Sequence, residues 1–239
     1  MNAKRRRLQS RVLRLCVYAA GACTLGVLLM LVVYILVKGL PHLTPELFSL
    51  HYNSENVSLF PALVNTVTMT LLSLLIAAPL GVFSAVYLVE YAKRGNKFVS
   101  VVRITAETLS GIPSIIYGLV GMLVLVPGIR KLFHVPDGAS LLAAIIVLAI
   151  MILPSIIKVS VTSLEAVPRE YEDASLALGA TPTETWFKVS VPAARSGIAA
   201  AVVLGVGRAI GEAMAVMMVS GNVANMPQLF ESVRFLTTA

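Results

Sequence analysis

Arg208 and Glu212 are the residues of this sequence whose types and spacing first suggest chemistry. They lie in the stretch GVGRAIGEAMAV (205–216), inside an apolar run that extends from Gly197 to about Val219. Residues four apart share one face of a helix, so the two charges can pair. Arginine presents a planar fork of donors that matches an oxyanion bidentately, and it keeps its proton. The pattern therefore predicts either a relay point for an anion or a fixed ion pair that sets helix register.

The residues around this pair are small. Gly207 and Gly211 have the G-x3-G spacing that lets another helix approach closely. A charge at the centre of a bilayer costs about 2.5–3.5 kcal/mol on insertion scales. We therefore expect the pair to face protein or a water-filled cavity, with Glu212 holding the guanidinium until an anion arrives.

The elements that must position these residues are membrane helices. Hydrophobic residues make up 57% of the 239 positions and charged residues 13%, whereas a soluble domain holds about 25% charged residues. Crossing a bilayer core takes about 20 helical residues. Five apolar runs are long enough, and they cover roughly 15–37, 61–89, 104–127, 140–160 and 197–219. The chain is predicted to be an all-α, polytopic membrane protein.

The basic residues predict its orientation. Most Lys and Arg residues, Lys93 and Arg94 among them, lie before the first run, between the second and third, or between the fourth and fifth. The positive-inside rule then places the N-terminus in the cytoplasm. This distribution explains the net charge of +7 without nucleic acid. Glu107, near the cytoplasmic start of the third run, is either a pathway residue or a side chain that reaches the interface.

The cytoplasmic segment 161–196 has helix punctuation rather than linker composition. Pro168 suits a first helical turn, and Gly179 suits the position just after a helix end. The sequence TPTE (181–184) then has the pattern of a capping box with Pro in the first turn, and Pro192 is expected to end the second helix. Two short helices joined by a tight turn are predicted.

The first of these helices carries an apolar stripe. Tyr171, Ala174 and Leu178 fall on one face, with Glu172 and Asp173 beside it. Such a stripe indicates either a protein partner or a lipid interface. Acidic residues beside the stripe favour the protein partner, because the cytoplasmic leaflet is anionic.

This segment resembles a known motif. DASLALGATPTETWFKVSVP (173–192) is similar to the EAA loop of ABC-importer permeases, whose pattern is E-A-A-x3-G-x9-I-x-L-P. The matching positions are Asp173, Ala174, Ser175, Gly179, Val189, Val191 and Pro192. In that family the loop docks into a cytoplasmic ATPase subunit. The resemblance implies the same partner here, with these residues as the coupling set.

Two further stretches narrow the resemblance. ETLSGIPSIIYGLVG (107–121) and GRAIGEAMAVMMVSGN (207–222) resemble the permeases of phosphate importers, the PstC/PstA family, and are closer to PstC. The resemblance implies a MetI-like transmembrane domain of a type I importer over 60–239. It leaves 1–59 as a basic N-terminus, a first helix and an outer loop. It also implies a second permease subunit and an extracytoplasmic phosphate-binding protein, and a sixth span is expected to be missing after Ala239.

Other functions remain as alternatives. The same arginine fork would serve sulfate or molybdate. An ion-coupled secondary transporter would need inverted repeats, and none is evident. The sequence holds no G-x4-G-K-[ST] motif, so we expect ATP hydrolysis on a separate subunit and no enzyme activity here. The His residues lack ligand spacing, and neither a metal nor a cofactor is predicted.

Overall fold

The computed structural model describes residues 3–50, 52, 58–91 and 97–238. Lys93 and Arg94, which contribute to the predicted orientation, lie outside these residues. The helices are α1 (Ala3–Gly39), α2 (Phe60–Val86), α3 (Lys97–Gly111), α4 (Ser114–Val120), α5 (Val126–Phe133), α6 (Leu141–Glu165), α7 (Arg169–Ala177), α8 (Pro182–Thr185), α9 (Val191–Ala193), α10 (Arg195–Gly211) and α11 (Met214–Ser220). Short 3-10 or π-helical turns lie at Leu40–His42, Pro45–Phe48, Tyr87–Tyr91, Gly121–Leu125 and Trp186–Ser190. The predicted all-α class is confirmed.

The described chain contains four to five apolar spans. Four helical stretches are long and apolar enough to cross a membrane, and a fifth results if two helices joined at a bend of 66° are counted as one. The four are Ser10–His42, Phe60–Val89, Ser114–Phe133 and Leu141–Glu165, and the bent pair is Pro182–Ala193 with Arg195–Gly211.

The third predicted run, 104–127, is wrong as a single helix. α3 ends at Gly111, and the chain resumes as α4 at Ser114 after an extended Pro113. Proline has no N–H and pushes the residue before it away from helical geometry, so the helix breaks here. The apolar span therefore begins at Ser114. Pro79 and Pro154 lie inside the continuous helices α2 and α6, so they do not break their spans.

α6 is the centre of the bundle. Its Ile152 and Ile156 are fully buried. A Cβ atom on Gly81 of α2 would lie 2.6 Å from Ile156 Cγ2, and one on Gly205 of α10 would lie 3.2 Å from Leu74 Cδ2. Small residues thus allow α2, α6 and α10 to pack closely, as membrane helices commonly do.

A second close contact joins α4 to α11. A Cβ atom on Gly118 would lie 2.7 Å from Ala215 Cα, so the two backbones nearly touch. By contrast, nothing lies within 4 Å of the corresponding positions on Gly207 and Gly211. No described part of this chain packs against these two glycines, and the close approach predicted at that G-x3-G stays a prediction. α1 is exposed from Ser10 to Gly39.

Residues 221–238, which we call the strap, lie across the end of the bundle where α6 begins. The strap is not helical, yet its Val233 and Phe235 are fully buried. Leu142 N–H donates to Leu229 O at 2.9 Å, and Val233 N–H donates to Ser220 O at 3.0 Å. The strap is thus packed onto the ends of α6 and α11.

Candidate functional site

Arg208 lies one turn before the end of α10 and is half-buried. Its Nη1 donates to Ser155 Oγ on α6 at 2.9 Å. Ser155 directly follows the buried Pro154. The guanidinium is therefore held inside the bundle by a neutral hydroxyl on the central helix.

Tyr117 is a half-buried residue of α4. Its hydroxyl donates to Leu109 O at 2.7 Å, across the break between α3 and α4. The Ser155 hydroxyl contacts the Arg208 guanidinium, whereas the Tyr117 hydroxyl joins α4 to the end of α3.

Glu212 does not pair with Arg208, and that prediction is wrong. α10 ends at Gly211, and Glu212 has extended backbone angles (φ −79°, ψ 123°), so the two residues do not share a helical face. Glu212 Oε1 instead accepts from Ala215 N–H at 3.0 Å, at the start of α11. Gly211 weakens the helix, and a side-chain acceptor then satisfies the first N–H groups of the next one. The predicted run 197–219 is accordingly two helices.

The Arg208 charge has no carboxylate partner among the described residues. The ion pairs found there are Arg103–Glu165, at 2.9 Å, and Lys188–Glu184, at 3.4 Å. Both lie on the surface, whereas Arg208 is half-buried. A half-buried cation without a counter-charge is costly, and such residues usually mark functional sites.

Glu107 lies apart from this site. It is exposed on α3, and its backbone carbonyl accepts from Ser110 Oγ at 2.7 Å. Within the described ranges, no hydrogen bond or ion pair joins Glu107 to Arg208 or Glu212. Its role in a pathway stays a prediction.

The polar residues near the start of α2 bind the strap. Asn65 Nδ2 donates to Asn225 O at 2.8 Å and to Arg234 O at 3.1 Å. Thr66 Oγ1 donates to Ala62 O, one turn earlier, and accepts from Leu236 N–H. The strap also reaches the break after α10, because Thr237 Oγ1 donates to Glu212 O at 2.9 Å.

At the opposite end of α6, residues 166–194 form a compact helical knob. The knob is shorter than the segment 161–196 predicted to be cytoplasmic, because α6 continues to Glu165 and α10 begins at Arg195. Gly179 has the left-handed φ of +87° that its position after α7 requires. The predicted capping box is confirmed: the Thr181 side chain accepts from Glu184 N–H, and the Glu184 side chain accepts from Thr181 N–H.

The predicted apolar stripe of the knob is exposed. Tyr171 is 54% exposed and Leu178 is 89% exposed, and Ala174 is also exposed. Of the other coupling residues, Asp173, Gly179 and Pro192 are exposed, and Ser175, Val189 and Val191 are half-buried. Ser175 Oγ lies 2.9 Å from Thr185 Oγ1, which ties α7 to α8. Pro192 does not end the second helix, because the bend comes at Ala194.

A buried tryptophan fixes the knob to the bundle. Trp186 packs in a cluster with Ala85 of α2, Leu164 of α6 and Ala194 at the start of α10. Beside this cluster, a cleft of about 310 Å³ separates α7 from the start of α10. The cluster thus joins the knob to α2, α6 and α10, the last of which carries Arg208.

Sequence reasoning missed Ser155 and the strap. A serine after a proline in an apolar run carries no periodic signal that distinguishes it from other helix serines. The strap lacks both helical and strand periodicity, so its burial depends on contacts with residues far away in the chain.

Comparisons with known proteins agree with this arrangement. A family model described as "binding-protein-dependent transport system inner membrane component" matches residues 77–235. The chain is 42% identical over 197 residues to a probable ABC transporter permease protein, YqgH, of Bacillus subtilis, covering 80% of this chain and 63% of that one. It is 35% identical over 188 residues to the phosphate transport system permease protein PstC of Mesorhizobium japonicum, covering 71% and 57%. The chain thus spans about three fifths of the length of these two relatives.

Among solved structures, a chain of the MetNI methionine ABC transporter in an inward-facing conformation is similar. The TM-score is 0.45 at 23% identity, over 64% of this chain and 69% of that one.

Proposed function

Because the chain belongs to the family of binding-protein-dependent transport system inner membrane components, we propose that it is a permease subunit of an ATP-driven importer for inorganic phosphate. The importer lies in the cytoplasmic membrane, with the N-terminus of this chain in the cytoplasm. A second permease subunit completes the pathway, and an extracytoplasmic phosphate-binding protein delivers the anion. The chain itself is not an enzyme.

The observation that carries this proposal is the environment of Arg208. Its guanidinium lies within an apolar bundle and donates to a neutral hydroxyl, that of Ser155. A hydroxyl holds the side chain without neutralising it, so the charge stays available to an oxyanion. A guanidinium binds such an anion bidentately, and the low dielectric of the bundle strengthens the contact.

The two glutamates of the predicted pathway have separate places in this proposal. Glu212 lies at the break between α10 and α11, one turn beyond Arg208. A negative charge there opposes tight anion binding, and a conducting site must release its ion. We assign Glu107, which is exposed on α3 and apart from Arg208, to an outlying part of the pathway, where its carboxylate would repel anions that return.

Phosphate is favoured over other oxyanions by the relatives. Permeases named for phosphate transport match the chain at 35% and 37% identity in Mesorhizobium japonicum and Haemophilus influenzae. The arginine fork itself would also accept sulfate or molybdate. Competition of unlabelled sulfate against labelled phosphate uptake separates these substrates: for a phosphate importer, excess sulfate leaves phosphate uptake unchanged.

The knob supports an ATP-driven mechanism rather than an ion-coupled one. Its exposed stripe of Tyr171, Ala174 and Leu178 suits docking into a groove of an ATPase subunit, with Asp173 beside it. The Trp186 cluster then carries the closure of the ATPases to α2, α6 and α10. An ion-coupled transporter has no use for such a docking knob.

Replacing Arg208 tests the proposal. We expect Arg208→Gln to abolish phosphate uptake, because glutamine cannot offer the charged fork, and to leave assembly with the ATPase intact. Labelled phosphate uptake and co-purification of the ATPase measure the two properties. Arg103→Gln is a matched control, since it removes a surface ion pair worth about 0–1 kcal/mol. Wild-type uptake in Arg208→Gln would contradict the proposal.

A further inference from the structure

We infer that Ser155 is a direct ligand of the transported oxyanion, donating its hydroxyl proton beside the Arg208 guanidinium. This inference rests on the proposed function and deepens it. It assigns to α6 a substrate-binding residue that the sequence did not reveal.

Ser155 lacks the hydrogen bond that is usual for a helix hydroxyl, and it accepts one from Arg208 instead. A helical serine or threonine commonly donates its proton to the carbonyl four residues earlier. Among the described residues, five hydroxyls do so, and they belong to Thr24, Thr66, Thr108, Thr162 and Ser163. Ser155 Oγ instead accepts a proton from Arg208, and its own proton has no acceptor among the described residues.

The Ser155 hydroxyl lies beside one edge of the guanidinium, with Oγ 2.9 Å from Nη1 of Arg208. An anion that binds the guanidinium on the Nη1 side can therefore bring an oxygen within hydrogen-bond distance of the hydroxyl. The guanidinium has five N–H donors, so it can hold Ser155 and still present others to the anion. Together the two side chains offer charged and neutral donors to one oxyanion.

The other polar groups nearby are already engaged. The Tyr117 hydroxyl donates its proton to Leu109 O, so this proton is not available to an anion. The carboxylate of Glu212 is an acceptor and is bound to Ala215 N–H. Ser155 is therefore the group beside Arg208 that can add a donor. The substrate class that fits is a small anion with at least two acceptor oxygens.

Whether anion binding becomes weaker or tighter when the Ser155 hydroxyl is removed shows if Ser155 is an anion ligand or only holds the Arg208 side chain. If Ser155 only occupies the guanidinium while the site is empty, its removal frees Arg208 and tightens anion binding. If Ser155 is a ligand, its removal weakens anion binding. The experiment measures how inorganic phosphate protects Arg208 from a guanidinium-directed dicarbonyl reagent in the assembled membrane complex, without the binding protein. Mass spectrometry of the peptide that contains Arg208 reports its modification.

We expect Ser155→Ala to raise the half-protecting phosphate concentration about tenfold, because a hydrogen bond to a charged group is lost. Ser155→Thr keeps the hydroxyl and should stay within about twofold of the wild type. Ser155→Cys, a weaker donor of similar size, should fall between them and serves if the alanine variant does not fold. Ser163→Ala is the matched control on the same helix, since that hydroxyl already donates to Val159 O.

An unchanged or lowered half-protecting concentration in Ser155→Ala would overturn the inference and leave the proposed function standing. A wild-type complex in which phosphate gives no protection of Arg208 would instead contradict the proposed function, and the inference with it.

Discussion

At the scale of single residues, Glu212 shows that a carboxylate inside a bundle can accept a hydrogen bond from a backbone N–H rather than pair with a cation. It ends α10 with extended angles and accepts the Ala215 N–H of α11 through its side chain. The first N–H groups of a helix have no partner within that helix, so an acceptor there is stabilising. The residue predicted to neutralise Arg208 is thus already engaged, and the guanidinium keeps its charge.

Two substitutions of Glu212 distinguish the stabilising effect of its hydrogen bond to α11 from that of its negative charge. Glu212→Ala removes the acceptor and should lower the free energy of unfolding by about 0.5–2 kcal/mol. Glu212→Gln keeps an acceptor oxygen and should unfold close to the wild type. Thermal unfolding of the detergent-solubilised protein measures both. Equal losses in the two variants would show that the charge, rather than the cap, provides the stabilisation.

The sequence predicted the arginine but not its partner. A charged residue in a long apolar run is visible from composition alone. The i, i+4 spacing predicts a pair only while the helix continues, and Gly211 ends it. The segment after this glycine packs against α4 through Gly118 and Ala215, a contact that the i, i+4 spacing does not reveal.

At the scale of elements, the knob was the best predicted part of the molecule. Its signals are local, since a capping box and a left-handed glycine act within one turn of the chain. The break at Pro113 was harder, because Pro79 and Pro154 lie in similar runs and their helices continue. Whether a helix breaks or continues at such a proline depends on tertiary packing, which the residues around the proline do not reveal.

The capping box makes the knob sensitive to acid. Hydrogen bonds from the Thr181 backbone and hydroxyl, and then the nearby Lys188 ammonium, hold the pKa of Glu184 below its ordinary value of 4.5. Because this folded-state pKa is depressed, the stabilisation is present at neutral pH and is lost as the pH falls through that lowered value. We expect Thr181→Ala to move the pKa of Glu184 upward and Thr181→Ser to preserve it. A carboxyl-carbon NMR titration of Glu184 measures this, and identical titrations in all three proteins would contradict the prediction.

The exposed stripe predicts how the knob binds. Leu178→Asp should abolish co-purification of the ATPase subunit, because an apolar side chain that is 89% exposed is replaced by a charge at the proposed contact. Thermal stability should be unchanged, since Leu178 contributes little buried area. Ala177→Asp places the same charge on an exposed position of α7 outside the stripe and should bind normally. Normal ATPase binding by Leu178→Asp would exclude the stripe as the docking surface.

At the scale of the whole molecule, the strap closes the end of the bundle opposite the knob. The Asn65 side chain donates to two backbone carbonyls of the strap, and the Thr66 hydroxyl accepts from a backbone N–H of the strap. The hydroxyl of Thr237, in the strap, donates to the backbone carbonyl of Glu212, between α10 and α11. No periodicity in residues 221–238 predicts this arrangement, because the contacts with α2 join positions 160 to 170 residues apart.

Releasing the strap provides a test of its attachment. Asn65→Ala removes two hydrogen bonds worth about 0.5–1.5 kcal/mol each. We expect hydrogen exchange at the Val233 amide to become roughly tenfold faster, while exchange in α6 stays unchanged. Thr68→Ala, on the same helix, serves as the control. Unchanged exchange at Val233 in Asn65→Ala would show that the buried Phe235, rather than Asn65, holds the strap.

The bond from Asn65 to Arg234 also imposes an order on biosynthesis. The two residues are 169 positions apart, and a ribosome adds about 5–20 residues per second. The amide of Asn65 therefore waits roughly 8–34 s after its own synthesis before the carbonyl that it binds has been made. During that interval α2 holds a polar group that only a later part of the nascent chain satisfies, so the packing around Asn65 is complete only after the strap has been synthesised.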